Sequence, residues 1–165
     1  DNVYMSAYVD NRYGDALVVQ GKAPRTPRTL RGNKQFDANV DMRYWSYCKA
    51  RSIADGAADS CLVDEQVPQD ANGRYTIVVS TEAARPSNAR AECGVAWMPW
   101  GVGDGMDNPH GGYMIHRHLK PSQSFTTSLQ STKKPGDERS VLGAYYSEMT
   151  YQAKAAFEAR GCPVK

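Results

Sequence analysis

The histidines have the clearest chemical potential in this sequence. His116-Arg117-His118 ends an alternating run that begins at Tyr113, and residues two apart on a strand project their side chains from one face. Paired imidazoles suit a divalent metal such as Zn or Cu, provided that a third or fourth ligand joins them. His110 lies upstream in a Gly/Asp-rich loop with Asp104 and Asp107, so a His110/His116/His118 metal site is one expectation. The competing reading is a strand pair with no ligand. The segment Gly103-Asp104-Gly105-Met106-Asp107-Asn108 clusters oxygen donors that would suit Ca. It lacks the alternating spacing and terminal Glu of an EF-hand loop, and a plain connection between strands competes with it.

Nucleophilic and phosphate chemistry leave no signature. The chain contains no G-x-S-x-G elbow, no G-x-G-x-x-G turn and no P-loop. Paired carboxylates for glycoside hydrolysis need burial and a defined separation, and most acids here fall in loop-like stretches. The reading therefore leans away from an enzyme. Aromatic residues offer a second chemistry: Trp97, Trp100 and Tyr113 are candidates for stacking against a glycan, with Tyr44, Trp45 and Tyr47 nearby in pattern. The alternative for such residues is a sandwich core.

Charge is distributed unevenly. Residues 21–34 carry Lys22, Arg25, Arg28, Arg31 and Lys34 without an acid, whereas residues 55–70 carry Asp55, Asp59, Asp64, Glu65 and Asp70 without a base. Either both are solvated loops, or Arg25, Arg28 and Arg31 form a surface for an anionic polymer. Opposite loops could also join copies of the chain head to tail, or bind an envelope protein partner. The overall charge is only +2, which gives no bulk electrostatic case for nucleic acid.

These residues need elements to hold them. With 165 residues, 41% of them hydrophobic, the chain suits one domain with its own core. No apolar run is long enough for a transmembrane segment. Short β-like runs between Gly, Pro, Asn and Asp clusters predict strands over 3–9, 16–20, 40–48, 74–80, 93–98 and 112–119. On the third, Met42, Tyr44 and Ser46 face one way, and Arg43, Trp45 and Tyr47 the other. Asn72-Gly73 marks a hairpin turn before the fourth. Helices are predicted over 122–130 and over 151–160, the latter capped by Thr150 and closed by Gly161. The expected fold is a mainly β, antiparallel jelly-roll-like β-sandwich with one or two peripheral helices.

The four cysteines, Cys48, Cys61, Cys93 and Cys162, have no C-x-x-C spacing and allow three pairings. The preferred one joins Cys48 to Cys61, closing a short Ala/Asp/Gly-rich loop, and Cys93 to Cys162, pinning the C-terminal helix. The competing reading is four buried thiols. Disulfides, together with a chain that starts at Asp1 without an initiator Met, lead to an exported protein with its signal peptide removed. The expected location is secreted, extracellular or periplasmic.

Three motifs in order, Tyr44-Trp45-Ser46, Trp97-Met98-Pro99 and Arg117 followed by Pro121, carry a family likeness. Over residues 40–162 the chain resembles the C-terminal β-sandwich domain of a family of exported bacterial proteins of unknown function. The runs 43–48, 73–80 and 93–97 match that resemblance as well. It implies architecture and export, and no catalytic residues. The leading functional expectation is a non-catalytic secreted or cell-envelope binding or assembly module; a metal-binding protein and a carbohydrate-binding module are the alternatives.

Overall fold

Among the described residues eight strands form two four-stranded sheets packed face to face as a β-sandwich. The computed structural model describes residues 2–34, 39–52 and 54–165. The strands are β1 (Asn2–Asp10), β2 (Ala16–Lys22), β3 (Met42–Ala50), β4 (Ala58–Val63), β5 (Arg74–Ser80), β6 (Val95–Pro99), β7 (Gly111–Pro121) and β8 (Glu148–Gln152). One sheet has the order β1-β7-β3-β4 and the other β6-β5-β2-β8. All pairs are antiparallel except β5 with β6. That parallel pair needs a long crossover, supplied by residues 81–94.

The two sheets differ in how they are covered, and the residue patterns show why. β2 opens with the unbroken apolar run Ala16-Leu17-Val18-Val19, all four buried. Leu17 and Val19 face the sandwich core, while Ala16 and Val18 face a second cluster around Phe157. A strand covered on both faces has no need of alternation. β1 does alternate, and its Tyr4, Ser6 and Tyr8 are exposed. The outer face of the β1-β7-β3-β4 sheet is therefore the uncovered one.

Two expected helices change form. Residues 122–130 contain turns and end in a 3-10 turn at Leu129–Ser131. Ser and Thr side chains compete there for local bonds, as between Ser122 and Ser124 at 3.2 Å and Ser128 and Ser131 at 3.3 Å. In the second case Tyr151 and Gln152 belong to β8, and the helix α2 covers only Lys154–Glu158. Its first turn is held by Asp15, whose carboxylate accepts the Lys154 N–H at 2.8 Å, in place of Thr150. A further short helix, α1, spans Glu138–Leu142. Among the described residues no helix is long and apolar enough to cross a membrane. Met42 also departs from simple alternation: it is buried in the core with Trp45, opposite Pro121, where the positive φ of Lys120 (45°) takes the end of β7 out of the regular pleat.

Both disulfides pair as expected, Cys48 with Cys61 and Cys93 with Cys162. The first joins directly opposite residues of β3 and β4, with Cα atoms 4.1 Å apart. The second ties the turn at Ala91–Cys93 to the chain beyond α2, beside the Phe157 cluster. Their sequence separations, 13 and 69, predict unequal effects. In urea denaturation, Cys93→Ser/Cys162→Ser should lose about 1 kcal/mol more stability than Cys48→Ser/Cys61→Ser. Equal losses would show that loop closure is not the governing term.

Candidate functional site

The basic and acidic stretches meet in one chain. A cleft of about 540 Å³ lies between residues 24–31 and 64–70, lined on one side by Arg25, Arg28 and Arg31 and on the other by Asp64, Glu65 and Asp70. That volume is within the range of small-ligand sites. Its walls are held by contacts between the two stretches. The Glu65 carboxylate accepts the Leu30 N–H at 2.9 Å and the Thr29 hydroxyl at 3.2 Å. Arg25 is anchored to Asp41 through its backbone N–H and its guanidinium, both at 2.8 Å. Stretches of opposite charge thus adjoin within one molecule.

The acids of the cleft are only partly occupied: one oxygen each of Asp64 and Glu65 is buried without a hydrogen-bond partner among the described residues. Asp70 accepts from the N–H groups of Asn72 and Arg74 and so closes the Asn72-Gly73 hairpin turn. Asp64 is buried, and burial raises its pKa against the opposing effect of a bond from the Thr26 hydroxyl. Arg28 and Arg31 form no ion pair among the described residues. Asp64, Glu65 and Asp70 likewise form no ion pair there, so both walls keep their charge.

The histidines separate into two places. His116 and His118 do share a face of β7, with ring centroids 4.6 Å apart, but that face is the core. His116 stacks on Tyr47 at 4.2 Å, and the His118 Nδ1 accepts the Leu129 N–H at 3.1 Å. Accepting at Nδ1 places the proton of neutral His118 on Nε2. Burial pushes the His116 pKa well below the ordinary value and that of His118 down to about 4. His110 sits before the opposite end of β7, bonded to Asn11 at 2.7 Å. From Gly111 to His116 the strand alone spans roughly 16 Å, too far for one ion. Asp104 instead accepts the Met106 and Asn108 N–H groups and closes its own loop. Among the described residues no three His, Cys, Asp or Glu side chains converge in a metal-ligating group.

The three aromatic candidates are also dispersed. Trp100 is 1% exposed. Trp97 is half-buried, bonded to Ser80 at 3.0 Å, and its ring is covered by the Arg85 guanidinium at 4.1 Å. Tyr113 lies on the outer face of β7, edge-on to Tyr8 at 5.5 Å. Tyr4, Tyr8 and Arg117 accompany it there; the alternation of β1 and β7 groups them on one face without deciding that this face is the exposed one. Lys49 carried no such signal. It is fully buried on β3, 3.4 Å from Asp59, 3.0 Å from the Gly103 carbonyl and beneath the Trp100 ring. Gly112 makes room for it, because a Cβ there would lie 2.4 Å from its Cε and Nζ.

No family model matches the chain, and no curated protein sequence matches it significantly. Among solved structures it is similar to an uncharacterized protein from Burkholderia cenocepacia, at 20% identity and a TM-score of 0.48, over 87% of this chain and 34% of that one. It is also similar to the VPA0106 protein from Vibrio parahaemolyticus, at 15% identity and a TM-score of 0.45, over 75% of this chain and 27% of the other. The chain thus spans about a third or less of the length of either protein, and neither supplies it with a function.

Proposed function

We propose that the protein is a non-catalytic, exported binding module that takes an anionic ligand in the cleft between residues 24–31 and 64–70. The observation that carries this reading is the pair Arg28 and Arg31, which line the cleft and form no ion pair among the described residues, opposite Glu65 and Asp70, which accept backbone N–H groups. Two disulfides support an extracellular or periplasmic site of action.

Tripolyphosphate, a compact polyanion, is a suitable probe. At low ionic strength, saturating probe should raise the melting temperature by several degrees, because a ligand that binds only the folded state stabilises it. Arg28→Ala/Arg31→Ala should abolish that rise, and added salt should reduce it. An unchanged melting temperature, or an equal rise in the double variant, would contradict the reading.

A further inference from the structure

The uncovered face of the β1-β7-β3-β4 sheet carries a second arrangement, separate from the cleft. Arg117, at the centre of that face, is paired across the sheet with Tyr4 on β1 and with Ser46 on β3. Its guanidinium donates to the hydroxyls of Tyr44 and Tyr4, and lies 4.9 Å from the Tyr4 ring centroid and 5.8 Å from that of Tyr44. A guanidinium has five N–H donors, so two bonds to neutral phenols leave both its charge and donors unsatisfied. No carboxylate among the described residues pairs with it. Tyr4 is 51% exposed, and Tyr8, two outward positions further along β1, is 52% exposed.

An independent feature adjoins the same ring. Tyr4 also lines a shallow depression with Lys133, Lys134 and Glu138. Glu138 accepts the N–H of Gly136 at 2.8 Å, and neither lysine forms an ion pair among the described residues. Tyr4 thus adjoins two sets of cations: Arg117, held between its ring and that of half-buried Tyr44 on the outer face, and Lys133 with Lys134 at the β1 edge of the sheet.

From this geometry we infer that the sheet face is a binding surface for an acidic, uronate-bearing glycan. Phenol rings present flat apolar surfaces to the C–H faces of sugar rings. The planar fork of Arg117 matches a carboxylate, and Lys133 and Lys134 supply charge for a neighbouring one. An exported protein meets such polymers outside the cytoplasm, which favours a glycan over single-stranded nucleic acid.

Calorimetric titration with an alginate hexasaccharide provides the test. The native chain is expected to bind it, with affinity at least tenfold lower in Tyr4→Ala and in Lys133→Ala/Lys134→Ala. The exposed lysine pair serves if Tyr4→Ala lowers the melting temperature. Arg28→Ala/Arg31→Ala should leave the affinity unchanged, which separates this surface from the cleft. Absence of binding, equal binding of neutral cellohexaose, loss of affinity in the cleft variant alone, or tighter binding of a thymidine decanucleotide would each overturn the assignment.

Discussion

Asp59→Ala is expected to lower stability by about 3–5 kcal/mol, a large effect for a single carboxylate. The reason lies in Lys49, whose side chain is fully buried and has Asp59 as its counter-ion at 3.4 Å. Burial already lowers the Lys49 pKa, opposed chiefly by Asp59. Without that carboxylate, an ammonium would remain in the interior with one carbonyl, that of Gly103, and the face of Trp100. The lysine would then have to lose its proton, or the loop at Gly103 would have to open. Arg51, the other partner of Asp59 at 2.9 Å, is 41% exposed and can be solvated, so its share of the loss is small. In a Lys49→Met background the same Asp59→Ala change should cost under about 1 kcal/mol, because no buried charge is stranded. Urea denaturation of the four chains in this cycle measures the coupling. A loss under 1 kcal/mol for Asp59→Ala in the native background would show that Lys49 is not held as a buried cation.

Acid should destabilise the fold through the two core histidines, beginning well above the carboxylate range. Both are depressed by burial, His118 to about 4, and His116 further depressed by its neighbour. The folded chain therefore binds fewer protons than the unfolded chain between the two pKa values of each group. Stability is flat above about pH 6.5 and falls as pH drops from there toward 4. For His118 alone the loss by pH 4 is about 3 kcal/mol. Carboxylates held low by partners, such as Asp10 at about 2 beside Arg12, give up their contribution at lower pH and do not confuse the window. Asp64, raised by burial, acts with the opposite sign. Urea midpoints from pH 8 to pH 4 should show a slope approaching two protons. His116→Phe, which keeps a ring against Tyr47, should reduce it to about one. Constant stability between pH 7 and pH 5 would refute the account.

Several features of the fold were legible residue by residue. The apolar run at Ala16-Leu17-Val18-Val19 and the turn at Asn72-Gly73 both reflect local demands: a doubly covered strand tolerates no polar alternation, and a tight hairpin favours Gly. Count and spacing left three cysteine pairings open, and the preferred one, closing a short loop and pinning the C-terminal segment, is the one formed. By contrast, β4 lay hidden in the acidic stretch. Ala58-Asp59-Ser60 has little strand propensity, and its order comes from pairing with β3 and from the Cys48–Cys61 bridge. β8 was masked because its Tyr151 and Gln152 also fit the start of a helix.

The candidate site divides along the same line. The opposite charges of residues 21–34 and 55–70 were visible in the chain, but their meeting across a cleft was not. Nor was the exposure of Tyr4 and Arg117 distinguishable from the burial of His116, since all belong to strands with the same period. Alternation determined that His116 and His118 share one face of β7 and Arg117 takes the other. Only the tertiary structure decided which face meets the second sheet and which meets solvent, because that depends on what the rest of the chain lays over each side.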